Sequence, residues 1–208
     1  MRIIQFFFIA IFCFSNGQKV YEFDYLVHYS SESNGKIRNS LYYVNSKSPQ
    51  NYLSIVNNGE KYAAKLFSFD DNKLYEFDVV QFVKKGELSY DFSYLSTVGL
   101  HRNFNPPPFK YTKIDENNIR LDIFKNKKAT KVKQSYVMKI KPYVINLYPA
   151  FRIANFHPYE KFVELDYPQS VFVEEATLQC ENGTIIKQKV EEIRKVDLKI
   201  TIPKNEKY

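Results

Sequence analysis

Hydrophobic and polar side chains alternate through most of this sequence, and a period of two is typical of half-buried β-strands. The alternation is clear at residues 75–79, 119–123 and 196–202, where single charged or polar residues separate apolar ones. In the first such segment it predicts that five side chains share one face of a strand: Tyr21, Phe23, Tyr25, Val27 and Tyr29. A chain with this period buries its apolar faces by pairing strands into a sheet.

Short polar turns separate the alternating segments. Asn57-Asn58-Gly59 and Glu181-Asn182-Gly183 contain the Asn-Gly pair that tolerates the positive φ of tight hairpins. Residues 30–35, 70–72 and 115–118 are further turns. Strands joined in this way are antiparallel, so we expect a mainly β fold: a single curved antiparallel sheet or half-barrel meander with one or two short helices.

The pattern also gives approximate boundaries. Strands are predicted at residues 19–29, 36–45, 52–56, 61–69, 74–83, 87–94, 119–123, 171–180, 184–190 and 196–202. A helix is best supported within residues 142–162, where apolar side chains recur near helical spacing. Pro149 and Pro158 restrict any helix there to short pieces.

Residues 1–18 have the organisation of a secretory signal peptide: a positive charge, the apolar run Phe6–Phe14, and small polar residues before the strand pattern starts. The apolar run is shorter than the ~20 residues that a membrane-spanning helix needs. We therefore expect export, cleavage after Gly17 or Gln18, and no transmembrane span. Residues 19–208 are then expected to form a single antiparallel β domain, soluble in the periplasm or outside the cell.

The two cysteines have different expected fates. Cys13 lies in the apolar run and follows Ile11-Phe12 rather than the small residues of a lipid-attachment signal. Once the signal is removed, Cys180 is the remaining thiol and cannot form an internal disulfide. We interpret it as a small core side chain.

The formal net charge is +7, carried almost wholly by lysine. A basic excess favours anionic surfaces, and in an exported protein these are lipid headgroups or acidic proteins rather than nucleic acid. The partners expected from charge are therefore a lipid or anionic envelope surface, or a protein.

A search for catalytic or metal-binding patterns gives no strong candidate. The chain has no Gly-rich phosphate loop, no nucleophile elbow and no Cys-x-x-Cys. Three histidines, His28, His101 and His157, are far apart in sequence and lack metal-ligand spacing. The carboxylate pairs Glu22 with Asp24 and Glu76 with Asp78 are interpreted as solvated strand faces. We predict a protein that is not an enzyme, with no catalytic residues, metal site or cofactor; the ligand-binding residues stay unknown at this stage.

A lysine strip, Lys125–Lys141, is the most distinctive charged segment, with seven lysines and no acidic residue. On a strand, Lys131, Lys133, Lys139 and Lys141 would share one face and could contact an anionic surface. The alternative is an ordinary solvated sheet face that lysine keeps soluble.

A proline loop, Ser96–Lys110, contains Pro106-Pro107-Pro108 and is predicted to be irregular, because consecutive prolines cannot donate to a sheet. Long ordered loops in compact domains often carry function. The loop is interpreted as a lid over the sheet, a partner-binding segment, or a plain connection.

Several short motifs carry a resemblance: the residues Ser15–Gln18, the opening Tyr21–Tyr25, the segment Asn45–Lys47 leading into Asn51-Tyr52, and the ending Ile200–Pro203 with its charged tail. In these the chain resembles exported proteins common in Flavobacteria and related Bacteroidota, for which no activity is established. The resemblance implies a cell-envelope setting and no catalytic residue. A curved sheet in that setting is similar, by analogy, to lipoprotein carriers, which hold acyl chains on a concave face.

The sequence therefore leads to two functional hypotheses. The first is a noncatalytic exported envelope protein that binds a lipid-like or apolar ligand on the concave face of its sheet. The second is a protein-interaction or structural module that docks a partner through the lysine strip and the proline loop.

Overall fold

The computed structural model describes residues 18–57, 61–84, 86–100, 107–125, 128–156 and 165–208. They form one open antiparallel sheet of 11 strands and, within these residues, a single α-helix, which confirms the predicted fold class. The strands are β1 (Lys19–Ser33), β2 (Lys36–Val44), β3 (Asn51–Asn57), β4 (Tyr62–Ser68), β5 (Lys73–Lys84), β6 (Glu87–Gly99), β7 (Phe109–Lys113), β8 (Asn118–Phe124), β9 (Val132–Pro142), β10 (Val171–Cys180) and β11 (Ile185–Ile202); the helix, α1, is Tyr148–Asn155.

The sheet consists of two meanders joined through the first and last strands. Its order is β6-β5-β4-β3-β2-β1-β11-β10-β9-β8-β7, so β1 and β11 pair in the middle. Their register runs from Lys19 opposite Ile202 to Glu32 opposite Lys187. The edges of the sheet are β6 and β7, which are consecutive in sequence but lie at opposite sides.

Two predicted boundaries were wrong for the same physical reason. Strands expected at residues 184–190 and 196–202 are one continuous strand, β11, and β6 extends beyond Tyr94 to Gly99. In both places the strand contains one extra residue that interrupts the alternation of side chains while the pairing continues. In β11 the extra residue lies opposite the step from His28 to Tyr29 of β1, and in β6 it lies opposite the step from Glu76 to Phe77 of β5. A β-bulge breaks the alternation of side chains without ending the strand, so a strand predicted from alternation stops at the bulge.

The predicted single face of β1 was also wrong. Tyr21 and Phe23 belong to a smaller core, whereas Tyr25, Val27 and Tyr29 belong to a larger one. A register shift between Phe23 and Tyr25 lies where the side chains change face. The neighbouring strand confirms that the cores lie on opposite faces, because the adjacent residues Tyr43 and Val44, opposite Leu26 and Tyr25, are divided between the two cores.

Helix α1 covers the larger core, within the segment where a helix was predicted. Pro149 occupies its first turn, where a missing N–H costs nothing, and the Tyr148 N–H donates to the Asn146 side chain at 3.0 Å. Arg152 is 1% exposed, and its Nε donates to Asp166 Oδ1 at 2.6 Å. The helix thus places a buried guanidinium, paired with Asp166, next to Phe151 and Ile153 of this core.

Hydrogen bonds and an ion pair to the Asp71 carboxylate connect the start of β1 to the β4–β5 turn. The Asp71 carboxylate accepts hydrogen bonds from Tyr21 at 2.5 Å and from Ser68 at 2.6 Å, and it pairs with Lys19. Burial acts to raise the pKa of Asp71, but the hydrogen bonds from Lys19, Ser68 and Tyr21 together outweigh it and lower the pKa to about 2.

This shift predicts an acid-sensitive contribution to stability. Because the pKa of Asp71 is lower in the folded chain, its contribution is present above the unfolded value near 3.8 and is lost as the pH falls towards 2. After allowance for solvent screening we expect it to be about 1–2 kcal/mol. Urea unfolding of Asp71→Asn and the unmodified chain should give free energies that differ at pH 6 and converge in this acidic window; a constant difference would contradict the assignment.

Candidate ligand cavity

Three hairpin turns of the first meander lie at the same end of the sheet, here called the turn end. They join β1 to β2, β3 to β4 and β5 to β6, next to the pairs Ser33–Lys36, Asn57–Tyr62 and Lys84–Glu87. Alternate connections of an antiparallel meander necessarily lie at one end. The first turn is tight because Asn34 and Gly35 adopt left-handed φ values of 52° and 72°.

The first meander curls around the smaller core. The rings of Tyr43 on β2 and Phe92 on β6 lie 6.4 Å apart between centroids, although three strands separate β2 from β6 in the sheet. Tyr21 on β1 and Tyr75 on β5 are likewise 5.7 Å apart. Side chains of distant strands meet in this way when the sheet is strongly concave, so this half of the sheet approaches a barrel.

The segment after β11 crosses the curled half at the end opposite the turn end. The Thr97 N–H donates to the Lys207 carbonyl at 2.7 Å, and the Lys207 N–H donates to the Tyr94 hydroxyl at 2.8 Å. Lys73 donates to Glu206 Oε2 at 2.7 Å, and this bond raises the pKa of Lys73 above its ordinary value. These contacts link β5 and β6 to the chain that leaves β11 and cover that end of the smaller core.

At the turn end the curled half forms a cavity of about 660 Å³ that is open to solvent on one side. Its wall comes from β1–β6 and β11, with one contribution from the β5–β6 turn. The lining residues are Leu26, His28, Asn39, Leu41, Ile55, Asn57, Tyr62, Gln81, Gly86, Leu88, Tyr90, Glu192 and Arg194. The deepest of them, Leu26 and Ile55, are 2% and 4% exposed and belong to the smaller core, so the cavity is a continuation of that core towards solvent.

Polar side chains line several sides of the cavity: a group on β1, β2 and β11, and in addition Asn57 on β3 and Gln81 on β5. Arg194 Nε lies 3.4 Å from Glu192 Oε1, and His28 Nε2 lies 3.3 Å from Asn39 Oδ1. His28 and Glu192 are register partners on β1 and β11. Burial raises the pKa of Tyr43, a residue of the smaller core, to about 12, whereas the positive charge of Arg194 acts to lower it. The Arg194 guanidinium therefore acts electrostatically on a side chain of the smaller core. The cavity therefore combines aliphatic and tyrosine side chains with polar groups from several strands, among them the Arg194–Glu192 pair.

Three of the four carboxylates named from the sequence make contacts with neighbouring strands or turns. Glu22 accepts from Lys199 at 2.7 Å, and Asp24 accepts from the Ser46 N–H at 2.8 Å. Glu76 lies 3.4 Å from Lys65 across β4 and β5, and Asp78 is exposed. These carboxylates lie outside the cavity wall.

His28 is the one predicted candidate residue that reaches the cavity; His101 and His157 lie outside the described residues. In the described part of the chain, no group of three His, Cys, Asp or Glu side chains could hold a metal ion. Cys180 is half-buried and packs against the larger core, in agreement with its interpretation as a small core side chain.

The lysine strip is flanked by acids that are distant in sequence. On β9, Lys139 and Lys141 are exposed and both contact Glu174 of β10, Lys139 at 2.8 Å. Lys131 lies 2.8 Å from Glu181, which also pairs with Lys125. Hydrogen bonds from these lysines lower the pKa of Glu174 and of Glu181. The strip is thus partly neutralised across the β9–β10 pair.

The proline loop is shorter than predicted. Ser96–Gly99 completes β6 and Phe109–Lys110 begins β7, so the connection is residues 100–108, of which 101–106 lie outside the described residues. Leu100 packs in the larger core, and the Pro108 carbonyl accepts from the Phe124 N–H at 2.9 Å. The described ends of the connection contact the larger core and β8 rather than the cavity.

Sequence reasoning missed the cavity residues Glu192 and Arg194. They lie in residues 191–195, where the alternation fails and no strand was predicted. Charged residues interrupting an otherwise apolar strand face were the available signal.

No protein-family model matches this chain, and a search of curated proteins found no similar sequence. In the described residues, no helix has both the length and the apolar character needed to cross a membrane.

Proposed function

We propose that this protein is an exported, noncatalytic cell-envelope protein that binds a lipid-like or apolar ligand in the cavity at the turn end. The observation that carries the proposal is the cavity itself. Its volume of about 660 Å³ is within the range of roughly 300–1,000 Å³ found for small-molecule sites. It lies on the concave face of the sheet, where an apolar ligand would extend the smaller core.

The lining chemistry favours an amphiphile. Leu26, Leu41 and Ile55 supply aliphatic surface on β1, β2 and β3. The rings of Tyr62 on β4 and Tyr90 on β6 make an edge-to-face contact, with centroids 6.2 Å apart. Buried apolar contact supplies affinity roughly in proportion to its area. The charged pair Arg194–Glu192 and the neighbouring His28 would orient a polar headgroup at the side of the cavity.

The envelope setting rests on the N-terminal segment and on the resemblance to exported proteins. A ligand of this kind is scarce in water and abundant in membranes, so a concave apolar site and an exported chain are mutually consistent. Nothing in the proposal needs a nucleophile, a metal or a cofactor.

A binding experiment with paired variants tests the proposal. The delipidated protein should bind a fluorescent acyl-chain probe, and Leu41→Gln should weaken that binding about tenfold or more, because it replaces apolar wall by an amide. Gln81→Trp should also weaken it by filling the cavity. Val80→Trp is the matched control, because Val80 is next to Gln81, is 62% exposed and does not line the cavity.

Two results would overturn the proposal. One is the absence of probe binding together with the absence of copurifying lipid by mass spectrometry. The other is equal probe binding by Gln81→Trp, Leu41→Gln and Val80→Trp, which would place the probe elsewhere on the surface. Circular dichroism of each variant establishes that the sheet is retained.

A further inference from the structure

Three aliphatic side chains are exposed around the mouth of the cavity. Ile37, Val83 and Leu88 are 70%, 68% and 50% exposed. Leu88 lines the cavity and is the register partner of Val83 across β5 and β6. Ile37 lies two residues before Asn39, another lining residue, on the same face of β2. Val83 and Leu88 are therefore placed at the rim on the β5–β6 hairpin. Ile37 lies beside the rim on the β1–β2 hairpin, where it also lines a separate surface depression with Glu32 and Lys187.

Cations flank the aliphatic rim. Lys36 and Arg38 are adjacent to Ile37, Lys84 follows Val83, and Lys61 precedes β4 at the turn end. All of them lie beside the hairpin turns of the first meander. Two acidic residues are neighbours: Glu32, the register partner of Ile37, and Glu87, the register partner of Lys84. The rim thus pairs exposed aliphatic groups with basic ones.

The second meander adds positive charge at the same end. The β10–β11 turn and the β8–β9 connection lie at the turn end, because Glu32 pairs with Lys187 and Cys180 pairs with Gln134. The β8–β9 connection contributes Lys125, Lys128 and Lys131, of which Lys125 and Lys131 share Glu181. At the opposite end the β4–β5 turn carries Asp70 and Asp71, and the β7–β8 turn carries Asp115 and Glu116.

This combination fits one kind of surface. Aliphatic side chains flanked by lysine and arginine bind at the interface of an anionic bilayer, where the apolar groups enter the headgroup region and the cations contact lipid phosphates. A protein partner would require a complementary shape, whereas a bilayer requires only this arrangement of charge and apolar groups at one end.

We propose that the turn end docks on an anionic lipid bilayer, with Ile37, Val83 and Leu88 inserted among the headgroups and the cavity mouth facing the membrane. The docking depends on the exposed aliphatic and basic residues at the turn end and does not depend on the proposed function. Its role, the direct transfer of a lipid-like molecule between bilayer and cavity, rests on the proposed function.

Cosedimentation with vesicles tests the docking. The protein without residues 1–18 should bind to vesicles that contain phosphatidylglycerol in phosphatidylcholine, and should bind much less to vesicles of phosphatidylcholine alone. Added salt should weaken the binding. Lys36→Gln combined with Lys84→Gln should weaken it about 30-fold. Ile37→Thr combined with Val83→Thr should also weaken it, at preserved charge.

The opposite end supplies matched controls. Val144 is 82% exposed after β9, and Lys47 and Lys113 are exposed beside turns at that end. Val144→Thr, and Lys47→Gln combined with Lys113→Gln, should leave vesicle binding unchanged. An equal loss in the control and rim variants would overturn the docking, because it would indicate nonspecific attraction by total charge.

The two proposals fail in different ways. Acyl-probe binding without vesicle binding would overturn the docking and leave the ligand cavity supported. Vesicle binding that depends on the rim, without acyl-probe binding and without copurifying lipid, would support the docking and overturn the proposed function. A protein captured by the rim in place of vesicles would overturn the docking.

Discussion

Replacement of Asp166 by alanine should lower the free energy of unfolding by about 3–5 kcal/mol, among the largest effects of any single change in this chain. Arg152 is 1% exposed, and its guanidinium contacts Asp166 through Nε at 2.6 Å and through Nη2 at 3.4 Å. Removal of the carboxylate leaves a buried cation without its anionic partner. That desolvated charge, rather than the lost contact alone, accounts for the expected size of the effect.

Urea unfolding followed by circular dichroism measures this difference. Glu22→Ala is the control, because Glu22 and Lys199 form an ion pair with side chains that are 60% and 57% exposed, and its loss should have little effect. Arg152→Met combined with Asp166→Leu should recover much of the stability, since no buried charge then remains. Equal effects of Asp166→Ala and Glu22→Ala would contradict the account.

The strands and hairpins were predictable because their signals are local. Alternation at residues 75–79 and the Asn-Gly turn at residues 182–183 depend on neighbours in sequence, and both appear in the structure as expected. The change of face between Phe23 and Tyr25 was not predictable. It depends on how β1 pairs with β11, more than 170 residues away, and pattern alone cannot locate such a register shift.

The cavity was less predictable than the sheet. A concave apolar face was expected, but its lining comes from seven strands, and Leu26 on β1 meets Tyr90 on β6 at one cavity only because the first meander curls. The partial neutralisation of the lysine strip was not predictable for a similar reason, because Glu174 on β10 and Glu181 just after it are distant in sequence. Charge patterns read along one segment omit the strand paired beside it.

The two cores should unfold as one cooperative unit, although they lie on opposite faces of the sheet. Phe77 in the smaller core is 1% exposed and Phe151 in the larger core is 0% exposed. Phe77→Ala and Phe151→Ala should each lower the free energy of unfolding by about 3–5 kcal/mol. Because β1 and β11 contribute side chains to both cores, neither core can open fully without breaking the central pair that supports the other.

Amide hydrogen exchange distinguishes shared from separate unfolding. The amides of Leu66 on β4 and Met138 on β9 lie in different cores, and both residues are 0% exposed. If the cores are coupled, Phe151→Ala should reduce protection at both amides equally, because both then exchange through global opening. Faster exchange at Met138 alone would show that the second meander opens independently. In that case the pairing of β1 with β11 would join two units, and residues 19–208 would not behave as a single domain.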